Sequence, residues 1–310
     1  MKKDLISISD LSQQEMEEIF ALTDELKKDS LQYSSVLKGK TLALIFQKPS
    51  NRTRVSFAVG MFSLGGLSIY LGPAEISLGV REATKDVAMT LSRYVDGIVF
   101  RTYEHKNILE LAKYSSVPVI NGLSDLLHPC QALADLYTLR ERWGSFRGRV
   151  LAYVGDGNNV THSLLYGCSK AGLNFNIATP RNFEPKKDIV SSAKSFAVIS
   201  GAKINLSNNP LKACKDADAI YTDVWTSMGR EKEAKARKKI FHDFQVNKKL
   251  LSYAKKDCLI MHCLPAHRQE EITAEVMDSN NSIIFDQAEN RLHVQKAILL
   301  KLLKPVIRKS

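Results

Sequence analysis

A chain of 310 residues is long for one hydrophobic core, so two domains of roughly 150 residues each are expected. Hydrophobic residues make up 44% and charged residues 25%, values that argue against a disordered or fibrous protein. The formal charge of +11 admits nucleic-acid binding, but the lysines are thinly spread and no basic stripe is interleaved with aromatics. Attraction of an anionic small substrate is the favoured reading, with no nucleic-acid partner.

No apolar run approaches the roughly 18 residues that a bilayer span needs. The start, Met1-Lys2-Lys3-Asp4, leads into an acidic amphipathic segment and not an apolar signal region. A cytoplasmic protein with no membrane partner is expected. Five scattered cysteines, Cys130, Cys168, Cys214, Cys258 and Cys263, show no C-x-x-C spacing and support neither a disulfide framework nor a structural zinc site.

In chain order, Ser12 with Glu15 three residues on forms a capping box. It opens a helix with Met16, Ile19, Phe20, Thr23 and Leu26 on one side. The apolar run over 42–46 reads as a buried strand. It leads into Lys48-Pro49-Ser50-Asn51-Arg52-Thr53-Arg54 and a helix carrying Val55, Phe57, Val59, Met61, Phe62 and Leu64. A turn that opens a helix aims free N–H groups and the positive dipole end at one point. Ser50 and Thr53 add hydroxyls there, and Arg52 and Arg54 add planar forks suited to phosphate. The stretch reads either as a dianion cradle or as a serine cap with solvated arginines.

The pattern then predicts a strand at 67–71, a Gly/Pro loop at 72–81, a helix at 85–94 and a strand at 97–101. A helix at 105–114, a strand at 117–121 and a helix at 129–143 complete this half. Residues 144–148 read as a joint. Beyond them lie strands at 150–154, 175–179, 203–206, 219–222, 259–262 and 283–285, with helices at 160–171 and 186–199. A charged loop and helix occupy 226–246, and a last helix covers 289–303. Strands alternating with helices predict an α/β fold of two doubly wound parallel-sheet domains. Ligands in such sheets sit beyond the carboxyl ends of strands. The polar clusters at 50–54, Arg101, 121–128, 155–159, 223–228, 262–268 and 286–291 all follow strands, which points to one active site in the cleft between two domains.

Gly155-Asp156-Gly157-Asn158-Asn159 lacks the third glycine of a dinucleotide turn, which counts against a dehydrogenase. Asn158 and Asn159 either hold a carboxylate or amide of a ligand or cap the next helix. His128-Pro129-Cys130-Gln131 sits where a helix begins, and with Arg101 it could polarise a carbonyl. Cys130 is a nucleophile only if a base adjoins it, and otherwise a small packed thiol. In Asp223-Val224-Trp225-Thr226-Ser227-Met228-Gly229 the carboxylate suits a ligand ammonium or caps its own loop, while Trp225 reads as a packing anchor. His262-Cys263-Leu264-Pro265-Ala266-His267-Arg268 fits no tetrahedral metal pattern, so no metal is expected. Cys263, with backbone groups bent by Pro265, could bind a polar substrate head. In Glu289-Asn290-Arg291, Arg291 either enters the site or pairs with Glu289.

Taken as an ordered set over nearly the whole chain, these motifs resemble the aspartate/ornithine carbamoyltransferase family. They are Lys48 to Arg54, Phe100-Arg101, His128 to Gln131, Gly155 to Asn159, Asp223 to Gly229, His262-Cys263-Leu264-Pro265 and Glu289 to Arg291. Aspartate-using members typically show His-Pro-Leu-Pro where this chain has His262-Cys263-Leu264-Pro265, so the resemblance is to the ornithine-using side. It implies transfer of the carbamoyl group of carbamoyl phosphate to the δ-amino group of L-ornithine, giving L-citrulline and phosphate, within arginine metabolism and without a cofactor.

By the same resemblance, residues 1–145 with the C-terminal helix 289–310 bind carbamoyl phosphate, and residues 146–288 bind ornithine. Ser50, Asn51, Arg52, Thr53, Arg101, His128, Pro129, Cys130, Gln131, Cys263, Leu264 and Arg291 are implied to bind carbamoyl phosphate. Arg52, Thr53, Arg101, His128 and Cys263 are the implied catalytic set. Asn159, Asp223, Ser227 and Met228 are implied to hold ornithine, and the family is typically a trimer. Two departures stand out. Asn51 replaces a usual threonine, and Ser77 stands where ornithine enzymes often carry Gln or His reaching into a neighbouring subunit. A carbamoyltransferase for another amine, such as putrescine or an acylated ornithine, is the alternative, which Asp223 disfavours because putrescine lacks an α-amino acid's charge pattern.

Overall fold

The computed structural model describes residues 3–76, 82–226 and 231–303. By backbone proximity the chain divides into two compact units, Met1–Tyr137 with Asn290–Ser310, and Thr138–Glu289.

Unit 1 begins with α1 (Gln13–Lys28), whose capping box is formed as expected: Ser12 Oγ accepts from the Glu15 N–H, and the Glu15 carboxylate accepts from the Ser12 N–H. Then come β1 (Thr41–Phe46), α2 (Asn51–Ser63), β2 (Leu67–Leu71), α3 (Pro73–Ile76) and α4 (Thr84–Leu91). The remainder is β3 (Gly97–Arg101), α5 (His105–Tyr114), β4 (Val119–Leu123) and the start of α6 (Pro129–Trp143). The four strands lie parallel in the order β2-β1-β3-β4. β1 and β3 are buried on both faces, which explains their unbroken apolar runs.

Unit 2 continues with β5 (Val150–Val154), α7 (Asn159–Ala171), β6 (Asn174–Ala178), α8 (Lys187–Ser200), β7 (Ile204–Ser207), α9 (Pro210–Cys214) and β8 (Ala219–Thr222). It closes with α10 (Ala234–Phe241), α11 (Lys248–Leu251), β9 (Leu259–His262), α12 (Ala274–Met277) and the start of α13 (Ile284–Leu303). Its parallel sheet has the order β7-β6-β5-β8-β9. The second core packs Ala152, Val154, Ile220, Trp225, Phe241, Phe244 and Ile260, so Trp225 is the packing anchor its position suggested. No described helix is long and apolar enough to cross a membrane.

The expected strand over 283–285 does not form. Only the flanking backbone pairs with β9, through a bridge from Ser282 to Ile260 and a 3.0 Å bond from Ile283 N–H to the Ile260 carbonyl. The Gln287 N–H donates to the Ile283 carbonyl at 2.8 Å and closes a helical turn. A three-residue apolar run carries no readable period, and Ile284 is buried while Phe285 is exposed. The loop expected at 72–81 contains α3, and its residues 77–81, with Ser77, lie outside the described residues. The helix expected to reach Tyr94 stops at Leu91. The helices α9, α11 and α12 have four or five residues each, too few for an apolar stripe to show.

Strand order locates the places where a ligand can enter. In unit 1 the chain moves outward in opposite directions from β1 and β3, and in unit 2 from β5 and β8. At such switch points the connections diverge and leave a crevice beyond the strand ends. The residues following β1 and β5 are therefore the two best-placed stretches in the molecule. After β5, Gly155 adopts φ +151°, and Gly157 passes so near the next connection that an added Cβ would lie 2.3 Å from Pro185 N. The Gly157 N–H also donates to the Phe183 carbonyl at 2.8 Å. The paired glycines thus serve close backbone packing. Gly157→Ala is expected to lower unfolding free energy by at least about 1–3 kcal/mol, the usual cost of forcing extra volume into a packed region, measurable by urea denaturation.

Candidate active site

At the unit 1 switch point, Ser50 caps α2 in an extended conformation and its Oγ accepts from the Thr53 N–H at 3.2 Å. That cap turns Thr53 inward, where it is buried. Arg291, arriving on α13 and also buried, donates from one terminal nitrogen to Thr53 Oγ1 at 2.9 Å and from the other to Gln131 Oε1 at 2.9 Å. The Gln131 amide in turn donates to Asp135 Oδ1 at 2.8 Å. Arg291 therefore takes the inward of its two sequence readings and ties α2, α6 and α13 together.

The two arginines of the motif part company. Arg52 lies close enough to Arg101 and His128 for its charge to bear on both. Arg54 points elsewhere, with its guanidinium carbon 3.7 Å from the centroid of the Tyr70 ring, so the phosphate fork expected of it is a cation–π stack. Asn51 is exposed as the first residue of α2. Arg101, the last residue of β3, is buried and its Nε makes no hydrogen bond. The β1 and β3 ends are clasped by the Gln47 N–H, which donates to the Arg101 carbonyl at 2.9 Å, and by Thr102 Oγ1 on Gln47 Oε1.

Burial, reinforced by crowded cations, sets the protonation of this pocket. Burial pushes the Arg101 guanidinium down to about 10, helped by Arg291 and Arg52, which leaves it charged at neutral pH. Burial holds His128 well below the ordinary imidazole range, reinforced by Arg291, Arg101, Arg52 and Lys48. A neutral imidazole with one N–H results, able to donate to a developing oxyanion without adding charge. Pro129 opens α6 next to it. The buried Cys130 thiol is pushed up to about 12 by desolvation and lies 3.6 Å from the Asn121 carbonyl, so it is a packed thiol and no nucleophile.

At the unit 2 switch point, Asn158 caps α7, accepting from the Val160 and Thr161 N–H groups at 2.9 and 3.2 Å. Its amide donates to Asp223 Oδ2 at 2.7 Å. Asp223 Oδ1 accepts from the Val224 N–H at 2.8 Å and from the Cys263 thiol at 3.0 Å. Asn158, Asp223 and Cys263 thus follow β5, β8 and β9 around one carboxylate, with Leu264 the next residue after Cys263 and Asn159 the first residue of α7. Ser227 and Met228 lie outside the described residues.

Ligand atoms of Asp223, His262 and Cys263 lie within 4.8 Å of one another, a grouping a cation could use. Both nitrogens of His262 are engaged, however: Nδ1 accepts from the Leu264 N–H at 2.8 Å and Nε2 faces Glu271 Oε1 at 3.1 Å. Binding a metal there would require breaking one of them.

Two supporting groups were invisible as such in the sequence. Asp135 lies one helical turn beyond Gln131, an i to i+4 spacing that could have suggested their bond. Arg237 sits inside the lysine-rich run of α10 and looks solvated, yet it is buried, bonded to the Asp156 carboxylate and the Trp225 carbonyl and stacked between Phe183 and Phe241.

Comparison with known proteins gives consistent matches. A family model described as aspartate/ornithine carbamoyltransferase, carbamoyl-P binding domain, matches residues 3–141, and its Asp/Orn binding domain counterpart matches residues 147–302. The ornithine carbamoyltransferase of Thermococcus kodakarensis is 52% identical over 299 residues, 96% of this chain and 95% of its own. That of Bacillus subtilis is 50% identical over 301 residues, 97% of this chain and 94% of its own. The solved ornithine carbamoyltransferase from Pyrococcus furiosus aligns with a TM-score of 0.95 at 50% identity, covering 99% of this chain and 98% of that one.

Neutral His128 leaves a signature in stability. Unfolded, the imidazole takes a proton near pH ~6.5, whereas folded it resists one down to a much lower pH. The unfolded chain therefore binds more protons below that point, and stability falls as pH drops through ~6.5. His128→Gln is expected to lose less melting temperature than the parent between pH 7.5 and 5, as scanned by calorimetry.

Proposed function

The chain belongs to the aspartate/ornithine carbamoyltransferase family, and on that premise we propose the following reading of its chemistry. It is a transferase: it moves the carbamoyl group of carbamoyl phosphate to the δ-amino group of L-ornithine and releases L-citrulline and phosphate, a reaction of arginine metabolism. The observation that carries the residue assignments is the guanidinium cradle of Arg52, Arg101 and Arg291, anchored through Thr53 and Gln131 at the β1/β3 switch point.

In this reading Ser50, Asn51, Arg52 and Thr53 bind the phosphate through hydroxyls, the first N–H groups of α2 and one guanidinium fork. Arg101, His128 and Gln131 orient the carbamoyl group, with Pro129 and Cys130 shaping the wall and Arg291 closing the charge. Cys263 and Leu264 contact the carbamoyl group, and Asn159, Asp223, Ser227 and Met228 hold the α-carboxylate and α-amino groups of ornithine. The neutral δ-amine attacks the carbonyl carbon, the new C–N bond forms, and the oxyanion is stabilised by Arg52, Thr53, Arg101 and His128. Collapse breaks the C–O bond to phosphate, which leaves with the electron pair and takes up the amine's extra proton. No covalent enzyme intermediate is needed because carbamoyl phosphate is already activated.

The working form is a homo-oligomer, a trimer or a multiple of trimers, and its place of work is the cytoplasm. Support for association comes from α2 and the edge strand β2, which expose Val55, Val59, Leu67, Ile69 and Phe62, the last with 79% of its surface open. Support for a reducing compartment comes from five free cysteines, four of them buried.

Two experiments test these assignments. Arg52→Ala is expected to lower kcat/KM for citrulline formation by about 100-fold or more, as loss of a transition-state donor does, while the melting temperature stays near that of the parent; unchanged turnover would remove the cradle assignment. Phe62→Asp is expected to shift the mass measured by light scattering toward the monomer, and an unchanged mass would move the interface elsewhere. A panel of amines assayed with carbamoyl phosphate separates ornithine from putrescine.

A further inference from the structure

Strand β9 ends in a buried chain of hydrogen bonds that the reaction above does not use. The Leu264 N–H donates to His262 Nδ1 at 2.8 Å, which makes that nitrogen an acceptor and leaves the ring proton on Nε2. Nε2 faces Glu271 Oε1 at 3.1 Å, and the same oxygen accepts from the His267 N–H at 2.5 Å. The His262 N–H donates to Gln287 Oε1 at 3.0 Å. Glu271, His262 and Gln287 are all buried.

What this chain of bonds holds is an unfavourable backbone. Leu264 adopts φ +58°, the left-handed region that a residue with a side chain rarely occupies unless its surroundings impose it. Leucine has no short polar side chain to support that conformation by itself, as Asn or Asp would. The bond from its own N–H to the ring two residues earlier fixes the Cys263–Leu264 peptide on which that conformation is built, and Glu271 fixes the ring and its tautomer.

We propose that Glu271 and His262 are positioning residues: together they hold the Cys263 thiol and the Leu264 backbone in the orientation that meets the carbamoyl group. The inference rests on the assignment of Cys263 and Leu264 as carbamoyl contacts. Without that bond the Cys263–Leu264 peptide is free to turn, and with it the two residues assigned to the carbamoyl group. Asp223 would keep its bonds to Asn158 at 2.7 Å and to the Val224 N–H at 2.8 Å, so ornithine would still find its ammonium partner.

The two bonds of His262 can be cut separately. Asparagine places an oxygen where Nδ1 stands and keeps the Leu264 acceptor, whereas glutamine reaches the Nε2 position and loses it. The expected result is that His262→Gln raises KM for carbamoyl phosphate and lowers kcat, together about tenfold or more, while KM for ornithine stays within about twofold. His262→Asn and Glu271→Gln should lie closer to the parent, because each keeps a partner for the strained segment, and Glu271→Ala should resemble His262→Gln. If KM for both substrates rose together in step with a lower melting temperature, the role would be general stability and the proposal would be overturned. Cys263→Ser run alongside separates the premise from the inference. A parent-like serine variant removes the carbamoyl-contact assignment. An impaired serine variant beside a parent-like His262→Gln overturns the positioning role alone. Should His262→Gln fail to fold, Glu271→Ala against Glu271→Gln reads out the same split between substrates.

Discussion

The cradle depends on one interaction, the two-pronged bond of a buried guanidinium on α13 with Thr53 on α2 and Gln131 on α6. Hydrogen bonds to a charged group contribute about 1.5–3 kcal/mol each when their partners are well placed, and leaving such a group buried alone costs more. Arg291 can therefore be buried only if both partners are presented at the right place. The Ser50 cap fixes Thr53 by turning the first residues of α2, and Asp135 fixes Gln131 by taking the far side of its amide. A hydroxyl, an amide and a carboxylate thus combine to keep one positive charge dry. With Arg291 held, Arg101 and Arg52 have a fixed like charge beside them, and the depressed Arg101 follows from that repulsion added to burial.

Both sheets place their chemistry by the same topological device. Diverging connections from β1 and β3, and from β5 and β8, leave the strand ends open where a helix starts. Each start is used differently. In unit 1 the helix opens with a capping serine and an arginine-rich turn, which suits a dianion. In unit 2 it opens with Asn158, whose oxygen caps α7 while its nitrogen holds Asp223, which suits a ligand bearing both charges. A shared architecture thus carries two differently charged helix starts, set by two short sequence differences in the first turn after a strand.

Much of this was legible because the elements are long enough to show a period. The strands 97–101 and 150–154 and the helices 105–114 and 129–143 were readable to the residue, since buried parallel strands are continuous apolar runs and their helices are amphipathic. The motif residues were legible because polar clusters at strand ends have few structural reasons to exist. What was hidden has physical causes too. Ile283 to Phe285 reads as a strand because three apolar residues carry no phase, and the bond from Gln287 to the Ile283 carbonyl decides for helix. Arg54 reads as a phosphate ligand because residue type says nothing of direction, and Tyr70 across β2 claims it. Arg237 reads as solvated because its neighbours are lysines, and only packing against Phe183 and Phe241 separates it from them.

The electrostatics of the cradle also bear on the nucleophile. A free alkylamine is protonated at neutral pH, with a pKa near ~10.4, and an ammonium cannot attack a carbonyl. On the proposed assignment of Arg52 and Arg101 to carbamoyl phosphate, an incoming amine enters a field in which extra positive charge is disfavoured. His128 records that field: beyond its burial, four neighbouring cations each push it toward the neutral form. On the same assignment, that push applied to an incoming ammonium favours loss of its proton and so the reactive form of the attacking amine. A general base is then not required for that step, and the Asp135 carboxylate beside Gln131 is occupied in bonding its amide.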